Sequence, residues 1–473
     1  MRILNTRLIT TGCIAALCLT ACSESEPAHE ASRPSLAPAT QPASDPLRLD
    51  SSSVQPMYTT LLAIDLPAVM KVAAAQNIDI ERAKQNVVAN RGRYEASVEN
   101  IAPVIAPSFA FEHLEGVNRA VTGQAVAANF NSYLPAIAAQ WVLNPGKVIY
   151  DIIASKKRLQ ASQQDEKSIV LETTRAAGVQ YYELVLAQTK VQVARQAELE
   201  AEELIRIETL RLTAGTGLPA DQLRAQAALS ARQQDLALAL NAFYQASINL
   251  SLILHLDASV TLVPSPREIP QTTLVREDLT IEQLLDLAMQ TRPDLAAARS
   301  FAEAAGADRS ATLWGGIGPQ LQAGYQYGGL ATHVSGQNSS LHEQQHATAS
   351  VGWNLALSTF GQMKTAGAVE QQSLLDVQRR MDEVRAQVVR SSQDSKTSSQ
   401  IVPIARQQLD AASEALRLAQ ANLAAGTMLT LDVLQAEDAV NEARLRYASA
   451  VARYNQAQIN LLAAVGRIDA SQG

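Results

Sequence analysis

One short motif in this sequence has the residue types of a catalytic metal site: HEQQH, from His342 to His346. On a helix, His-Glu-x-x-His places two imidazoles on one face to bind zinc, and the glutamate acts as general base. Here the motif follows HVSGQNSS, a loop-like composition, and catalysis would also need a third ligand and a dry cleft. We expect the motif to lie between two strands, and we predict no catalytic residue, metal site or cofactor.

The cysteines point to a different chemistry, because Cys13, Cys18 and Cys22 all lie in the first 22 residues. A cationic MRILNTR precedes an apolar stretch that ends in LTAC, which matches a bacterial lipobox. We predict a signal peptide over 1–21 and a lipidated Cys22, with Ser23 directing the chain to the outer membrane. A Ser-, Pro- and Ala-rich tether follows over 22–58. An ordinary signal with a chance cysteine, or an uncleaved anchor, is the alternative.

Composition sets the fold class. The chain has 473 residues, of which 47% are hydrophobic and only 4% aromatic, as in a large helical protein. The formal charge of -7 disfavours nucleic acid as a partner. Beyond the N-terminus we expect no apolar run that approaches the roughly 20 residues of a membrane-spanning helix. Any segment that crosses a membrane should therefore be a β-strand.

The chain carries an internal duplication. TAGTGLPADQL, from Thr213 to Leu223, recurs 211 residues later as AAGTMLTLDVL, from Ala424 to Leu434. When the 17 residues that begin at Thr213 are aligned with the 17 that begin at Ala424, eight positions are identical. A Pro-marked break near Val263 separates the two copies. We predict a first repeat over 59–262, a linker over 263–278, a second repeat over 279–468 and a tail over 469–473.

Each repeat reads as helix, strand, strand, very long helix, turn, helix. The first helix is expected over 65–100, the long helices over 146–212 and 361–423, and the strands are about ten residues long, which suits a membrane strand. Pro403 should kink or break the second long helix. Residues 111–131 and 328–346 are expected to be cell-surface loops. Heptad seams begin at Leu236 and Tyr447 in the return helices.

Four strands per chain cannot close a barrel, and an open sheet edge cannot face lipid because its backbone groups would be unpaired. Three copies would supply twelve strands and a matching ring of helices. The predicted fold is therefore mainly α with transmembrane β: a trimeric α-barrel tunnel continued by a 12-stranded β-barrel.

These features resemble a known family. The duplicated plan, Trp141 and Trp353 before Gly146 and Gly361, and the stretch from Asn422 to Gly466 are similar to the TolC-type outer membrane efflux proteins. The resemblance covers about residues 60–467. It implies a homotrimeric channel-tunnel that passively conducts substrates for a tripartite efflux or type I secretion system. The partners it implies are outer membrane lipid, a periplasmic adaptor and an inner-membrane pump.

The resemblance also assigns roles to the two repeated turns, which would bind the adaptor at the periplasmic mouth. The docking residues are then Ala214, Gly215, Thr216 and Leu218 in the first turn and Ala425, Gly426, Thr427 and Leu429 in the second. At the periplasmic gate the family's second inward acid, its Tyr and its Arg are absent. The corresponding gate residues here are Asp432, Gln435, Leu423 and Met428.

Three gate hypotheses stay open. Three copies of Asp432 could form an acidic ring, Met428 and Leu429 could form an apolar constriction, or Asp432 and Asp221 could simply be first-turn acids favoured by the helix dipole. Two other functions compete with a duct. One is a periplasmic coiled-coil scaffold or adaptor without a pore, and the other is an enzyme, which rests on HEQQH alone.

Overall fold

The computed structural model describes residues 60–119, 123–265, 271–275, 279–334, 337–338, 340–353 and 355–467. The predicted signal, Cys22 and the whole tether over 22–58 lie outside these residues, as does the tail.

Both repeats follow one order of elements, except for one additional short strand in the second. The first repeat runs β1 (Thr60–Ile64), α1 (Leu66–Gln76), α2 (Ile78–Glu99), β2 (Val104–Arg119), β3 (Ala125–Leu143), α3 (Pro145–Thr213) and α4 (Pro219–Leu254). The second runs β4 (Val260–Pro264), α5 (Ile281–Thr291), α6 (Pro293–Ile317), β5 (Pro319–Val334), β6 (Gln337–Asn338), β7 (His342–Trp353), α7 (Ser358–Ala424) and α8 (Thr430–Ala464). The predicted duplication and the mainly helical fold with a few strands are confirmed.

The expected single helix over 65–100 is wrong, because the chain breaks at Asn77 into α1 and α2. The Asn77 side chain accepts a hydrogen bond from the backbone N–H of Asp79 and donates one to the carbonyl of Ile253. This is an N-cap, and it pins the break to the end of α4. The second repeat breaks at Arg292, where Pro293 disfavours a helical residue before it.

The long helices extend as the sequence predicts. Helix α3 has 69 residues, about 100 Å at 1.5 Å per residue, and α7 has 67. The break considered at Pro403 does not occur, since α7 is one helix through that residue. Each long helix forms an antiparallel hairpin with the helix that follows it, α4 or α8. Of the predicted seam residues, Phe243, Leu250 and Tyr454 are fully buried.

Helix α4 corrects the expectation that no apolar run is long enough to span a membrane. Among the described helices it alone is long and apolar enough to cross a membrane by length and composition, with a mean hydropathy of 1.4 over an 18-residue stretch. Its apolar residues Phe243, Leu250 and Leu254 pack in the main core with α1 and α3. These residues contribute to the core of the chain, in which 28% of the stretch is buried.

The strands form one antiparallel sheet in the order β2-β3-β5-β7, with the short β6 also paired to β5. Strands β2, β3 and β5 are 16, 19 and 16 residues long, well beyond the expected ten. Most of the residues expected in surface loops are therefore strand. Residues 120–124 connect β2 to β3, because the hairpin pairs as far as Arg119 and Ala125.

A second, two-stranded sheet joins the repeats. Strand β1 pairs in parallel with β4, from Thr60 with Val260 to Ile64 with Pro264. Beyond it, the described part of the predicted linker, Gln271–Val275, is bound along α8. The backbone N–H of Thr272 donates to Asn455, and those of Leu274 and Val275 donate to Oε1 of Gln458. The linker is thus packed onto the second repeat.

Candidate functional site

The four-stranded sheet has one apolar face. Directly paired residues of antiparallel strands lie on the same face, so the registers align the alternate residues across all four strands. Every large side chain of this face except Leu143 and Leu321 is exposed in the single chain. The face comprises Ile105, Phe109, Phe111, Tyr133, Ile137, Trp141, Leu143, Leu321, Tyr325, Tyr327, Val351 and Trp353.

The opposite face is largely polar and small. Its central rows align Gln140 with Gly324, Gln326 with His346, and Gln322 with Ser350. Alternation of apolar and polar residues along every strand is the pattern of a sheet between lipid and water. The apolar face suits a lipid environment, and the polar face suits an aqueous channel.

Aromatic side chains lie toward both ends of the apolar face. Phe111 and Tyr133 are in contact at one end, with ring centroids 5.3 Å apart. Toward the other end the Trp141 indole N–H donates to the Ile101 carbonyl at 2.7 Å. From Tyr133 to Leu143 a strand tilted by about 40° rises roughly 25 Å, the height of the apolar band of membrane β-proteins. These positions fit a pair of interfacial aromatic belts.

The sheet has two open edges. Among the described residues, β2 pairs only with β3 and β7 pairs only with β5. The outer sides of β2 and β7 therefore present unpaired backbone groups beside an apolar face. Such an edge is not stable in lipid, so the sheet requires further strands.

The HEQQH motif lies within strand β7 and not between strands as we expected. Successive strand residues point to opposite faces, so Glu343 lies on the face opposite that of His342 and His346. Four residues of extended chain separate the two histidines by about 13 Å, too far for both to bind one zinc ion. In the described residues no group of three His, Cys, Asp or Glu side chains could hold a metal ion.

At the far end of the helices, the two predicted docking turns share one geometry. Gly215 has φ +74° and Gly426 has φ +72°, the left-handed conformation that ends a helix at low cost only for glycine. The N–H groups of Thr216 and Thr427 donate back to the carbonyls of Arg211 and Asn422. Ala214 and Ala425 are the residues that cap α3 and α7.

The side chains of these turns differ in availability. The hydroxyls of Thr216 and Thr427 also donate to the Arg211 and Asn422 carbonyls, so they are engaged within the turn. Leu218 and Leu429 are free, with 64% and 68% of their surface exposed. The exposed apolar groups of the tips are thus the leucines, and the threonines stabilise the turns.

Charge distinguishes the two turns. In the first, Asp221 forms a 2.8 Å ion pair with Arg224. In the second, Asp432 occupies the matching position, but the residue matching Arg224 is the uncharged Gln435. Asp432 accepts a 3.3 Å hydrogen bond from the N–H of Leu429, so it caps the first turn of α8, and it remains exposed together with Gln435. The second tip therefore carries a negative charge without an ion-pair partner among the described contacts.

The other two predicted gate residues lie inside the chain. Leu423 is buried in a cluster with Leu204, Ala225 and Val433, and Met428 packs against that cluster while half-buried. Both side chains join the two helical hairpins to each other.

Polar contacts near the tips, which the sequence reasoning missed, tie the two hairpins together. Buried Glu208 of α3 accepts hydrogen bonds from Thr430 of α8 and from Arg211. Arg232 of α4 pairs with Asp438 of α8, and Glu200 of α3 pairs with Arg444 of α8 at 3.3 Å. Thr430, Glu437 and Arg444 recur every seven residues, and this spacing was the available signal.

Glu437 lies in the same contact and is 4% exposed. Burial, reinforced by the negative charge of Glu200, raises the pKa of the Glu437 carboxyl to about 7, while Arg232 partly opposes the shift. The junction between the hairpins therefore contains an acid that titrates near neutral pH.

Comparison with known proteins agrees with this geometry. Residues 284–467 match the outer membrane efflux protein family. Among solved structures, the chain is similar to the Campylobacter jejuni CmeC outer membrane channel, with 15% identity, TM-score 0.73 and coverage of 86% of this chain and 88% of that one. It is also similar to the outer membrane protein VceC from Vibrio cholerae, with 16% identity, TM-score 0.73 and coverage of 85% and 96%.

A third similar structure is the open state of the Neisseria gonorrhoeae MtrE outer membrane channel, with 18% identity, TM-score 0.71 and coverage of 85% and 88%. A comparison with curated proteins by sequence gave no match. The second repeat thus matches the outer membrane efflux protein family, and most of the chain shares the fold of these solved outer membrane channels.

Proposed function

We propose that three copies of this chain form the outer-membrane duct of a tripartite efflux or type I secretion system. The observation that carries the proposal is the four-stranded sheet with one apolar face and two open edges. Three such sheets, each joining its β2 edge to the β7 edge of a neighbour, give twelve strands without an edge. The polar faces then line a pore, and the helices continue it as a tunnel.

The proposed position in the cell follows from both ends of the chain. The lipobox supports a lipid anchor at Cys22 in the outer membrane of a Gram-negative bacterium. The long helices of about 100 Å, with charged residues along their exposed sides, support a water-filled environment, which is the periplasm. The scaffold alternative is disfavoured because an adaptor without a pore does not require a sheet with an apolar face that can contact lipid.

The duct itself is passive, with energy supplied by an inner-membrane pump. The two turns at the periplasmic end, Ala214 to Leu218 and Ala425 to Leu429, are the proposed adaptor-docking sites, and exposed Leu218 and Leu429 are their contact residues. Six such turns would surround the mouth of a trimer. We assign Asp432 and Gln435 to the mouth, and Leu423 and Met428 support it from within the chain.

Dye efflux tests this function. In a strain without the gene, accumulation of a fluorescent pump substrate should rise, and the native gene should restore export. The double variant Leu218→Asp, Leu429→Asp should reach the outer membrane as a trimer but lose export, because aspartate removes the apolar contact and adds six charges per trimer. In-cell cross-linking to the adaptor should fall at least tenfold.

The matched control is Leu199→Asp. Leu199 is 54% exposed on α3, and Asp410 occupies the matching position 211 residues later, so an acid is tolerated there. Normal export by the tip variant, or equal loss in the control, would contradict docking through the leucines. A native protein that is monomeric and soluble in the periplasm would contradict the duct itself.

A further inference from the structure

The two histidines of the HEQQH motif lie on the polar face of the sheet. His342 pairs with Leu330 of β5, and His346 pairs with Gln326, so the residues that face them from β5 are uncharged. Both histidine side chains are exposed in the single chain. In the proposed trimer they point into the lumen of the barrel, two from each copy.

Titratable side chains are scarce on this polar face. Besides the two histidines, the described strands carry only one there, Glu112 of β2, which follows Phe111 of the apolar face and therefore points to the opposite side. The remaining polar side chains of the described face are amides and hydroxyls, whose charge does not change with pH. These three residues of each copy therefore set the charge of the face.

All three lie on the edge strands β2 and β7, which meet between copies in the proposed barrel. The histidines have no counterpart in the first repeat. Since Trp353 matches Trp141, 212 residues earlier, the positions that match the histidines are Phe130 and Leu134 of β3. The titratable groups of the lumen are thus gathered at the three contacts between copies.

The two hairpins of the sheet share one register, which relates each strand position to its duplicate. Ala139 of β3 pairs with Ile105 of β2. Its counterpart, Val351 of β7, pairs with Leu321 of β5. A residue of β3 therefore corresponds to the residue 212 positions later, and a residue of β2 to the one 216 positions later.

These offsets predict which residues meet between copies. Within one chain, Ala136 of β3 pairs with Gly328 of β5. The equivalent pair between copies is Thr348 of β7 with Glu112 of the neighbouring β2. His346 then lies diagonal to that Glu112, with Cα atoms about 7 to 8 Å apart, so that a protonated imidazole and the carboxylate attract each other. Glu112 is thus the charged group that faces the histidines from the neighbouring copy.

We infer that His342, His346 and Glu112 form a proton-controlled charge filter at the outlet of the barrel. The inference rests on the proposed trimeric duct and concerns which cargo leaves it most readily. Histidine is the side chain whose charge ordinarily changes between pH 5 and pH 8, whereas glutamate is ordinarily ionised over most of that range. With neutral histidines the polar face carries three negative charges per trimer. With protonated histidines it carries six positive and three negative charges, so its net charge changes sign in acid.

The barrel is narrow enough for this charge to act on passing solutes. Twelve strands about 4.8 Å apart and tilted by about 40° enclose a backbone cylinder about 24 Å across. Side chains that extend inward from this wall approach the pore axis to within about 8 Å, the Debye length at physiological ionic strength. A negative lumen favours cations and a positive lumen favours anions. Cationic cargo should therefore leave most readily at pH 8, and anionic cargo should be favoured at pH 5.

Ion selectivity of full-length trimers in planar bilayers tests the filter. The cation-to-anion permeability ratio of the native protein should fall by about threefold or more when both chambers are changed from pH 8 to pH 5. The double variant His342→Gln, His346→Gln keeps polar side chains and should lose most of this shift, and each single variant should lose about half. Glu112→Gln should lower the ratio at pH 8 and keep the shift.

The matched control is His113→Gln. His113 is exposed on the same sheet, but it shares the apolar face with Phe111 and so faces away from the lumen. Charges elsewhere in the tunnel, including that of Asp432, are the same in all these variants.

A double variant that keeps the native shift would overturn the inference and leave the proposed duct intact. So would a control that loses as much of the shift as the double variant, or a conducting native trimer whose selectivity does not change with pH. Failure of the native protein to form trimers that conduct at either pH would instead count against the duct.

Discussion

At the scale of single residues, the charge of Asp432 is the clearest difference between the two tips. Asp221 is paired with Arg224, whereas Asp432 faces only the uncharged Gln435 position, so a trimer would carry three added negative charges at its mouth. Such a ring attracts cations and repels anions. In the helix-dipole explanation, Asp432 only stabilises the first turn of α8 and has no effect on ion selectivity.

We predict that Asp432→Asn lowers the cation-to-anion permeability ratio of trimers in planar bilayers several-fold, because the ring charge is removed. Asparagine still offers an oxygen to the N–H of Leu429, so the helix start should be kept. Asp432→Glu retains the charge and should keep the selectivity. An unchanged reversal potential in Asp432→Asn would show that this residue acts only as a cap.

Glu437 gives the junction between the hairpins a pH dependence. Its folded pKa of about 7 is above the ordinary value of 4.5, so the folded state binds this proton more tightly than the unfolded state. The contribution is most favourable below about pH 4.5 and is lost as the pH rises to about 7. At one pKa unit per 1.36 kcal/mol, the loss is on the order of 2 to 3 kcal/mol per protomer.

Glu437→Gln should therefore raise the melting temperature of the trimer at pH 8 and leave it nearly unchanged at pH 5, where the glutamic acid is already neutral. Scanning calorimetry or fluorimetry at both values measures this. Glu442→Gln is the control, since Glu442 is exposed and pairs with Arg446 on its own helix. A gain of equal size at both pH values would show that Glu437 is ionised throughout.

At the scale of elements, local patterns were enough where neighbours in sequence determine the structure. The long helices, the turns at Gly215 and Gly426 and the heptad seams were all predictable, because helix propensity, glycine and periodicity act locally. The break at Asn77 was not, because the cap is fixed by a hydrogen bond to Ile253, 176 residues away. The strands were underestimated because β2 continues past the apolar band through Glu112 and His113.

The linker over 263–278 was predicted, but its packing was not, because its position depends on side chains of α8. Gln458 is buried, accepts from the N–H groups of Leu274 and Val275 at 3.1 and 3.0 Å, and donates to Ser395 at 2.8 Å. Composition shows a Pro-marked break near residue 263 but gives no register against a distant helix. The polar contacts between the two hairpins could not be predicted either, because heptad spacing shows which residues share a helix face but not which residues they contact.

We predict that Gln458→Leu releases the linker. Leucine is similar in size but leaves two N–H groups and one hydroxyl without their partner, a cost of about 1 to 3 kcal/mol for each buried group that water cannot reach. Hydrogen exchange at Leu274 and Val275 should accelerate at least tenfold. Gln456→Leu is the control. Gln456 precedes Gln458 by about half a turn of α8 and donates a hydrogen bond to Glu183 at the surface. Unchanged exchange in Gln458→Leu would mean that other contacts hold the linker.

At the scale of the whole molecule, the single chain leaves surfaces exposed that require contacts with other molecules. An apolar sheet face is exposed, and two strand edges are open among the described residues. In the proposed trimer, neighbouring copies related by a three-fold axis pair the open edges, and the closed barrel turns the apolar face toward lipid. The duplication thus supplies two hairpins per chain, and the proposed trimer converts them into six around one mouth.

Electron cryo-microscopy of the full-length protein in lipid nanodiscs tests this central claim most directly. We predict three chains, twelve strands that cross the lipid with β2 of each chain paired to β7 of the next, and six helical tips at one end. A monomeric particle, or strands that lie outside the lipid disc, would contradict the account.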